Sequence, residues 1–209
     1  MTPLKIQASL LVGLLGCTAM QVIADPVPQM QQYSTQAVIQ DMALEGSAGV
    51  IGVNIAAGDS NAQLNARALA FSVGQGVASA TVHAAQHVQV PGDAPDSAVS
   101  LIQGNAFSNA SGMISVNHAS GVANAQVNDI AIGFAIGGVA VTESELSLTV
   151  TGQPGVQPNQ NQIQQHREAA ISGSAFEGAS GVVQINQLAG SGNATSNSFG
   201  LTVSVGAEQ

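Results

Sequence analysis

Basic side chains are scarce in this chain. Lys5, Arg67 and Arg167 stand alone against twelve Asp and Glu, and the formal net charge at pH 7 is -9. Binding a phosphate backbone needs several Lys or Arg on one face, so nucleic acid is excluded as a partner and attraction to an anionic membrane surface is disfavoured. Cysteine is represented by Cys17 alone. No disulfide can form within one chain, and core packing with backbone pairing must hold the fold. Tryptophan is absent and aromatics make up 3%, which counts against a platform for stacking sugars. Charged residues amount to 7% while 45% are hydrophobic, the reverse of the balance in disordered chains. Apolar runs stay too short and broken for a membrane span. There is no Gly-x-Ser-x-Gly elbow, phosphate-binding loop or zinc signature, so no enzyme is indicated and no cofactor or metal is expected.

What is present in excess is glycine, 24 residues of it, and a repeat. Gly49 to Val73 reads GVIGVNIAAGDSNAQLNARALAFSV. It returns as Gly112 to Ile136 and again as Gly181 to Val205, starting 63 and then 69 residues later, with no insertion inside a copy. Three asparagines keep step: Asn54, Asn61, Asn65; Asn117, Asn124, Asn128; Asn186, Asn193, Asn197. A bend glycine returns between the first two, at Gly58, Gly121 and Gly190. The alignment starts earlier, with Ile39, Ile102 and Ile171, and then Leu44, Phe107 and Phe176. Self-similarity at fixed spacing marks a repeat architecture and outranks local propensity.

Within each copy the hydrophobic period is two, which predicts strands. Ile51 and Val53 alternate with Gly52 and Asn54; Leu69, Phe71 and Val73 alternate with Ala70 and Ser72. One face is apolar and the other small or polar. Gly58 and the residues after it suit a bend. Asn61 to Ala70 contains helix formers, but the matching Asn193 to Thr202 does not, and strand–bend–strand is the reading adopted. Two inserts follow the first two copies, Gly76 to Ser100 and Val139 to Arg167. Each holds an alternating strand and then a turn-rich polar stretch. The seven prolines all fall outside the repeats, as hydrogen-bonded ladders require.

An amide at the same place in successive repeats can stack on its copies and donate to the next, about 4.8 Å away. Asparagine is also a turn residue, so Asn61 fits bend chemistry better than a ladder, while Asn54 and Asn65 fit both. His83, His87, His118 and His166 do not converge on a metal geometry. Glu143 and Glu145 share a strand face and read as a solvated edge. Asp59, Asp93 and Asp96 lack the spacing of a calcium loop.

The unit V-N-x-x-A-G-x-x-N-A-x-x-N resembles the repeats of bacterial functional amyloid subunits, the curli and Fap fibre systems. Asn54, Gly58, Asn61, Ala62 and Asn65 occupy the places of the amide, glycine, Asn, Ala and second amide of those repeats. The long spacers are similar to those of the Fap type. The resemblance implies an all-β fold, a β-solenoid or stacked β-arch, in a structural or adhesive subunit of an extracellular fibre. Its partners would be other copies or fibre subunits and an outer-membrane secretion machinery. Ile6 to Met20 is mostly apolar and Ala24 precedes Asp25, which predicts a signal peptide over 1–24. Leu14-Leu15-Gly16-Cys17 offers a lipid anchor at Cys17 as the other reading. A flexible tail is expected over 25–36 and a β-repeat domain over 37–209, with copies at about 37–75, 100–138 and 169–205. The competing function is a monomeric cell-surface module that binds a polysaccharide or a protein.

Overall fold

The computed structural model describes residues 32–90, 94–152 and 165–206. Among them stand eleven strands and no helix. The first rung comprises β1 Ser34–Ile39, β2 Ala48–Ala57, β3 Ala62–Val73 and β4 Val77–Val90. The second comprises β5 Ser97–Ile102, β6 Ser111–Ser120, β7 Ala125–Ile136 and β8 Val139–Gly152. The third comprises β9 His166–Ile171, β10 Ser180–Ala189 and β11 Ala194–Val205. Like strands pair in parallel and in register, giving sheets β1-β5-β9, β2-β6-β10, β3-β7-β11 and β4-β8. Asn54 therefore pairs with Asn117 and Asn117 with Asn186. This is the stacked β-arch that the repeat predicts.

The corner between the first two strands of each rung is built three times on one backbone pattern. Asp41, Leu44 and Gly46 have positive φ, as do Gly104, Phe107 and Asn109, and Gly173, Phe176 and Gly178. Inside this corner lies the main core, in which Ile39, Ile102, Phe107, Ile114 and Val116 are buried. Phe107 stacks on Phe176 with ring centroids 4.7 Å apart.

The inserts turn out to hold the fourth sheet. β4 pairs with β8 from Val77↔Val139 to Val90↔Gly152, an offset of 62, because Gly74-Gln75-Gly76 is matched by the shorter Gly137-Gly138. This sheet is displaced by part of a rung: β4 packs on β3 and β7, β8 on β7 and β11. The hydroxyls of Thr142 and Thr202 meet at 3.2 Å across that contact. Sheets that interlock this closely need small side chains between them. Ala78 and Ala80 of β4 accordingly bury the alanine side of β3 and β7, including Ala68, Ala70, Ala131 and Ala135. The larger side of β3 is left facing out.

Close stacking also explains two glycine rows. Gly58, Gly121 and Gly190 have φ of 100°, 123° and 140° at the bend. A Cβ built on Gly121 would overlap the Gly190 carbonyl oxygen, and one on Gly112 the Gly49 carbonyl oxygen. Gly46 has positive φ but open space around it. Gly121→Ala is therefore expected to abolish the stacked fold. Gly46→Ala should lower stability by only about 1 kcal/mol, the left-handed strain alone. Far-UV circular dichroism and urea unfolding of the two variants distinguish the outcomes.

Candidate functional site

The arch between β2 and β3 is lined by amides. Across it, Asn65 Nδ2 donates to Asn54 Oδ1 at 2.9 Å, Asn128 to Asn117 at 3.0 Å and Asn197 to Asn186 at 3.0 Å. Along the stack, Asn117 donates to Asn54 and Asn186 to Asn117, each at 3.0 Å. Asn128 donates to Asn65 at 3.0 Å and Asn197 to Asn128 at 2.9 Å. Asn117 Nδ2 also lies 3.0 Å from the Leu64 carbonyl and from Asn65 Oδ1. Its two hydrogens are thus shared among three acceptors. Asn117, Asn124 and Asn128 are wholly buried, where an unpaired amide would be costly.

Asn61, at the bend, serves both chemistries that the sequence allows. Its Nδ2 donates to the Gly121 carbonyl at 2.9 Å, and its Oδ1 accepts from Asn124 Nδ2 at 2.9 Å and from the Asn124 backbone N–H at 3.0 Å. Asn124 repeats this with Gly190 and Asn193. The bend glycines are close enough to their copies for the side-chain amide to reach the next carbonyl. All nine amide positions therefore stand in three rows of three.

The rows have a direction. In each, the later rung donates and the earlier rung accepts. At the third rung, Asn193 Oδ1 and Asn197 Oδ1 accept from no other side chain or backbone group among the described residues. The two ends of the stack are chemically different and mutually complementary.

Other polar residues join the lining without an asparagine repeat to announce them. Gln63 Nε2 donates to Gln126 Oε1 at 2.7 Å; these two stand 63 apart inside the aligned repeat, but the third copy has Thr195 there. His118 is fully buried, with Nδ1 2.6 Å from Ser100 Oγ and no partner for Nε2. Burial lowers its pKa from 6.5 to about 4. Asp129 is buried too; Ser144 Oγ donates to its Oδ2, and its Oδ1 has no partner. The Arg67 guanidinium, its pKa lowered by burial, donates to the Ile51 carbonyl at 2.7 Å. Of the other titratable candidates, Asp59 stands in the β2–β3 bend, where its carboxylate accepts from the Tyr33 hydroxyl at 3.1 Å, and Asp93 lies outside the described residues. His83 and Glu145 meet at 3.1 Å on the exposed face of the β4-β8 sheet. Among the described residues no three His, Cys, Asp or Glu converge as metal ligands would.

Asn117 makes contacts in both directions along its row, whereas Asn197 has a neighbour on one side only. Asn117→Ala should cost about 3 kcal/mol and Asn197→Ala about 1 kcal/mol, read as shifts in urea midpoint. His118 binds a proton more readily in the unfolded chain than in the folded one. Its contribution is thus complete above pH 6.5 and lost as pH falls toward about 4, by up to about 3 kcal/mol. The urea midpoint should fall over that window, and His118→Gln should flatten the profile.

Over residues 18–204 the chain matches the functional amyloid protein FapB/FapC family. It is 34% identical over 115 residues to the functional amyloid subunit FapC of Pseudomonas aeruginosa, an alignment that covers 53% of this chain and 34% of that protein. The chain thus spans about a third of the length of this curated relative. No solved structure matches it.

Proposed function

This chain belongs to the functional amyloid FapB/FapC family, and from that membership we propose that it is a structural subunit of an extracellular fibre, to which copies add end to end by extending its parallel sheets. The observation that carries the reading is the pairing itself. Three rungs stack in register, and the outer edges of β1, β2 and β3 at one end and of β9, β10 and β11 at the other pair with nothing among the described residues. An open edge is a template for another strand. Unlike ends that fit each other generate an open filament, not a closed ring.

The amide rows supply the register of the joint. In a continued stack, Asn54, Asn61 and Asn65 of one copy meet Asn186, Asn193 and Asn197 of its neighbour. The donor direction then runs unbroken through both. The work is mechanical: each added copy satisfies edge groups and buries the hollow that β10 and β11 leave open at the third rung.

Family membership supports a place at the cell surface. Within this reading the chain crosses the periplasm, is cleaved after Ala24 and leaves through an outer-membrane secretion machinery. A lipid anchor at Cys17 is the other fate of the leader. Both residues lie outside the described residues, as does the expected tail except for its last five positions. The tail and the three-copy repeat domain stay part of the proposal, with β1 at Ser34–Ile39 running from the last three positions of the expected tail into the first expected copy.

The chain from residue 25 onward is expected to form thioflavin-positive fibres from dilute solution, with sonicated fibres abolishing the lag. The joint brings exposed Glu45 of one copy over exposed Glu177 of the next, since both pair with the level of Ser108. Elongation should therefore quicken with added salt, and Glu177→Gln should weaken that dependence. A monomer that stays soluble with seeds at every salt concentration would sink the proposal.

A further inference from the structure

The side of β3 turned away from the β4-β8 sheet carries Leu69, Phe71 and Val73, which are 61%, 66% and 68% exposed. These are large apolar groups on the edge strand of an in-register ladder, and their rows continue through half-buried Ile132 and Phe134 and exposed Ile136 of the middle strand. Phe71 lies over Phe134 with ring planes 6° apart and centroids at 5.5 Å. The row of Leu69 ends in Leu201, and that of Val73 in Val205, 42% and 50% exposed. By the alternation that sets Asn54 against Asn65, Val50 falls at the level of Leu69, and it is 58% exposed as well. Val50 stands on the facing strand β2, at the margin of an apolar ribbon that runs along the stacking direction over β3, β7 and β11.

The ribbon holds no charge. From Leu69 to Val73, Ile132 to Ile136 and Leu201 to Val205 there is no Asp, Glu, Lys, Arg or His. The rest of the chain has net charge -9, and identical copies repel each other side by side on any acidic face. The ribbon is the face on which like-charged copies can meet without opposing carboxylates. Its area decides when. Three rungs about 4.8 Å apart and five residues rising about 3.4 Å each give roughly 250 Å² per copy. A stable interface needs about 800 Å² from each partner. One copy falls well short, while a stack of about four reaches it, because the ribbon lengthens with every copy added.

We propose that this ribbon is the lateral interface between two stacks of the same chain, and that side-by-side pairing begins only after several copies have joined end to end. The inference rests on the end-to-end reading above and extends it. Pairing of two identical apolar ribbons excludes water between them as dry zipper interfaces do. It makes thickening of the fibre a consequence of its length.

The test is mass per unit length, measured by scanning transmission electron microscopy on fibres grown from the chain beginning at residue 25. Cryo-electron microscopy of the same wild-type fibres supplies the cross-section. The double variant Phe71→Thr/Phe134→Thr keeps β-branched strand residues while removing the ring pair. Wild-type fibres are expected to have twice the mass per length of the variant's, with the Phe71 rows of two stacks facing each other in the cross-section. A wild-type fibre of single mass per length overturns the inference and leaves end-to-end growth standing. So does a paired fibre joined through another face, or an equal mass per length in the variant. Single fibres that take up 1-anilinonaphthalene-8-sulfonate on the ribbon overturn it in favour of a small apolar ligand. Absence of any wild-type fibre defeats the end-to-end reading, and this inference with it. If the variant alone fails to grow, the wild-type cross-section decides.

Discussion

A side-chain amide buried between two sheets has two hydrogens and two lone pairs to satisfy, and the neighbouring strands offer few spare backbone groups. Another amide at the same place on the next rung solves the problem, because it donates and accepts in turn. Asn117 is wholly buried yet fully engaged, held by Asn54 on one side, Asn186 on the other and Asn128 across the arch. A slip of one residue would put the amide on the opposite face and leave its partners unpaired in the core. The rows thus do more than add stability. They make the register of β2, β6 and β10 an all-or-none matter, and with it the heights of every other strand in the rung.

Glycine enforces the same constraint from the other direction. The amide rows require like rungs to lie close, and the rows of Gly58, Gly121 and Gly190 and of Gly49, Gly112 and Gly181 show how close that is. Nothing larger fits between the carbonyls there. The spacing between copies in the sequence is free by comparison. Rungs one and two are offset by 63 and rungs two and three by 69, yet the pairing is equally regular in both. The additional residues fall between the end of β8 at Gly152 and the start of β9 at His166. Even the offset of 62 between β4 and β8 is absorbed by one residue fewer in a glycine turn.

Much of this was legible in the chain. Period-two alternation identifies β2 and β3, and the returning asparagines and glycines fix which residues lie over which. The aligned Ile39, Ile102 and Ile171 mark only the last residues of the first-sheet strands, and Ser34 to Gln36, read from the sequence as tail, belong to β1. The direction of the amide rows was not legible, since an asparagine presents the same donors and acceptors whichever way it faces. Nor was the role of the inserts. β4 and β8 share alternation and length but almost no residues, and they occur twice, too few times to declare a repeat. Their pairing decides which side of β3 is covered. The usual expectation buries the larger side chains, but a sheet interlocked at part-rung displacement accepts only the alanines. Leu69, Phe71 and Val73 are displaced to the outside as a result.

The placing of ionisable groups fits a chain made to be continued. His118 and Asp129 are both wholly buried, and both belong to the second rung. Their register partners are Ile55 and Gln187, and Ala66 and Ser198, none of which carries a charge. Burying an ionisable side chain costs several kcal/mol if it keeps its charge, and burial holds His118 neutral instead by lowering its pKa to about 4. Here that cost falls within a single copy, where it is set against the whole stability of the three-rung fold. At those two rows the end rungs present neutral groups, so joining copies desolvates no further charge beside them. Had His118 or Asp129 stood in the first or third rung, every added copy would have had to strip water from it at the joint. Confining those two groups to the middle rung keeps their rows neutral at both ends; the charge that the first rung does hold in the arch, the partly buried Arg67 guanidinium, is bonded within its own rung to the Ile51 carbonyl, and in the proposed joint Glu45 and Glu177 would meet on an exposed corner where salt can screen them.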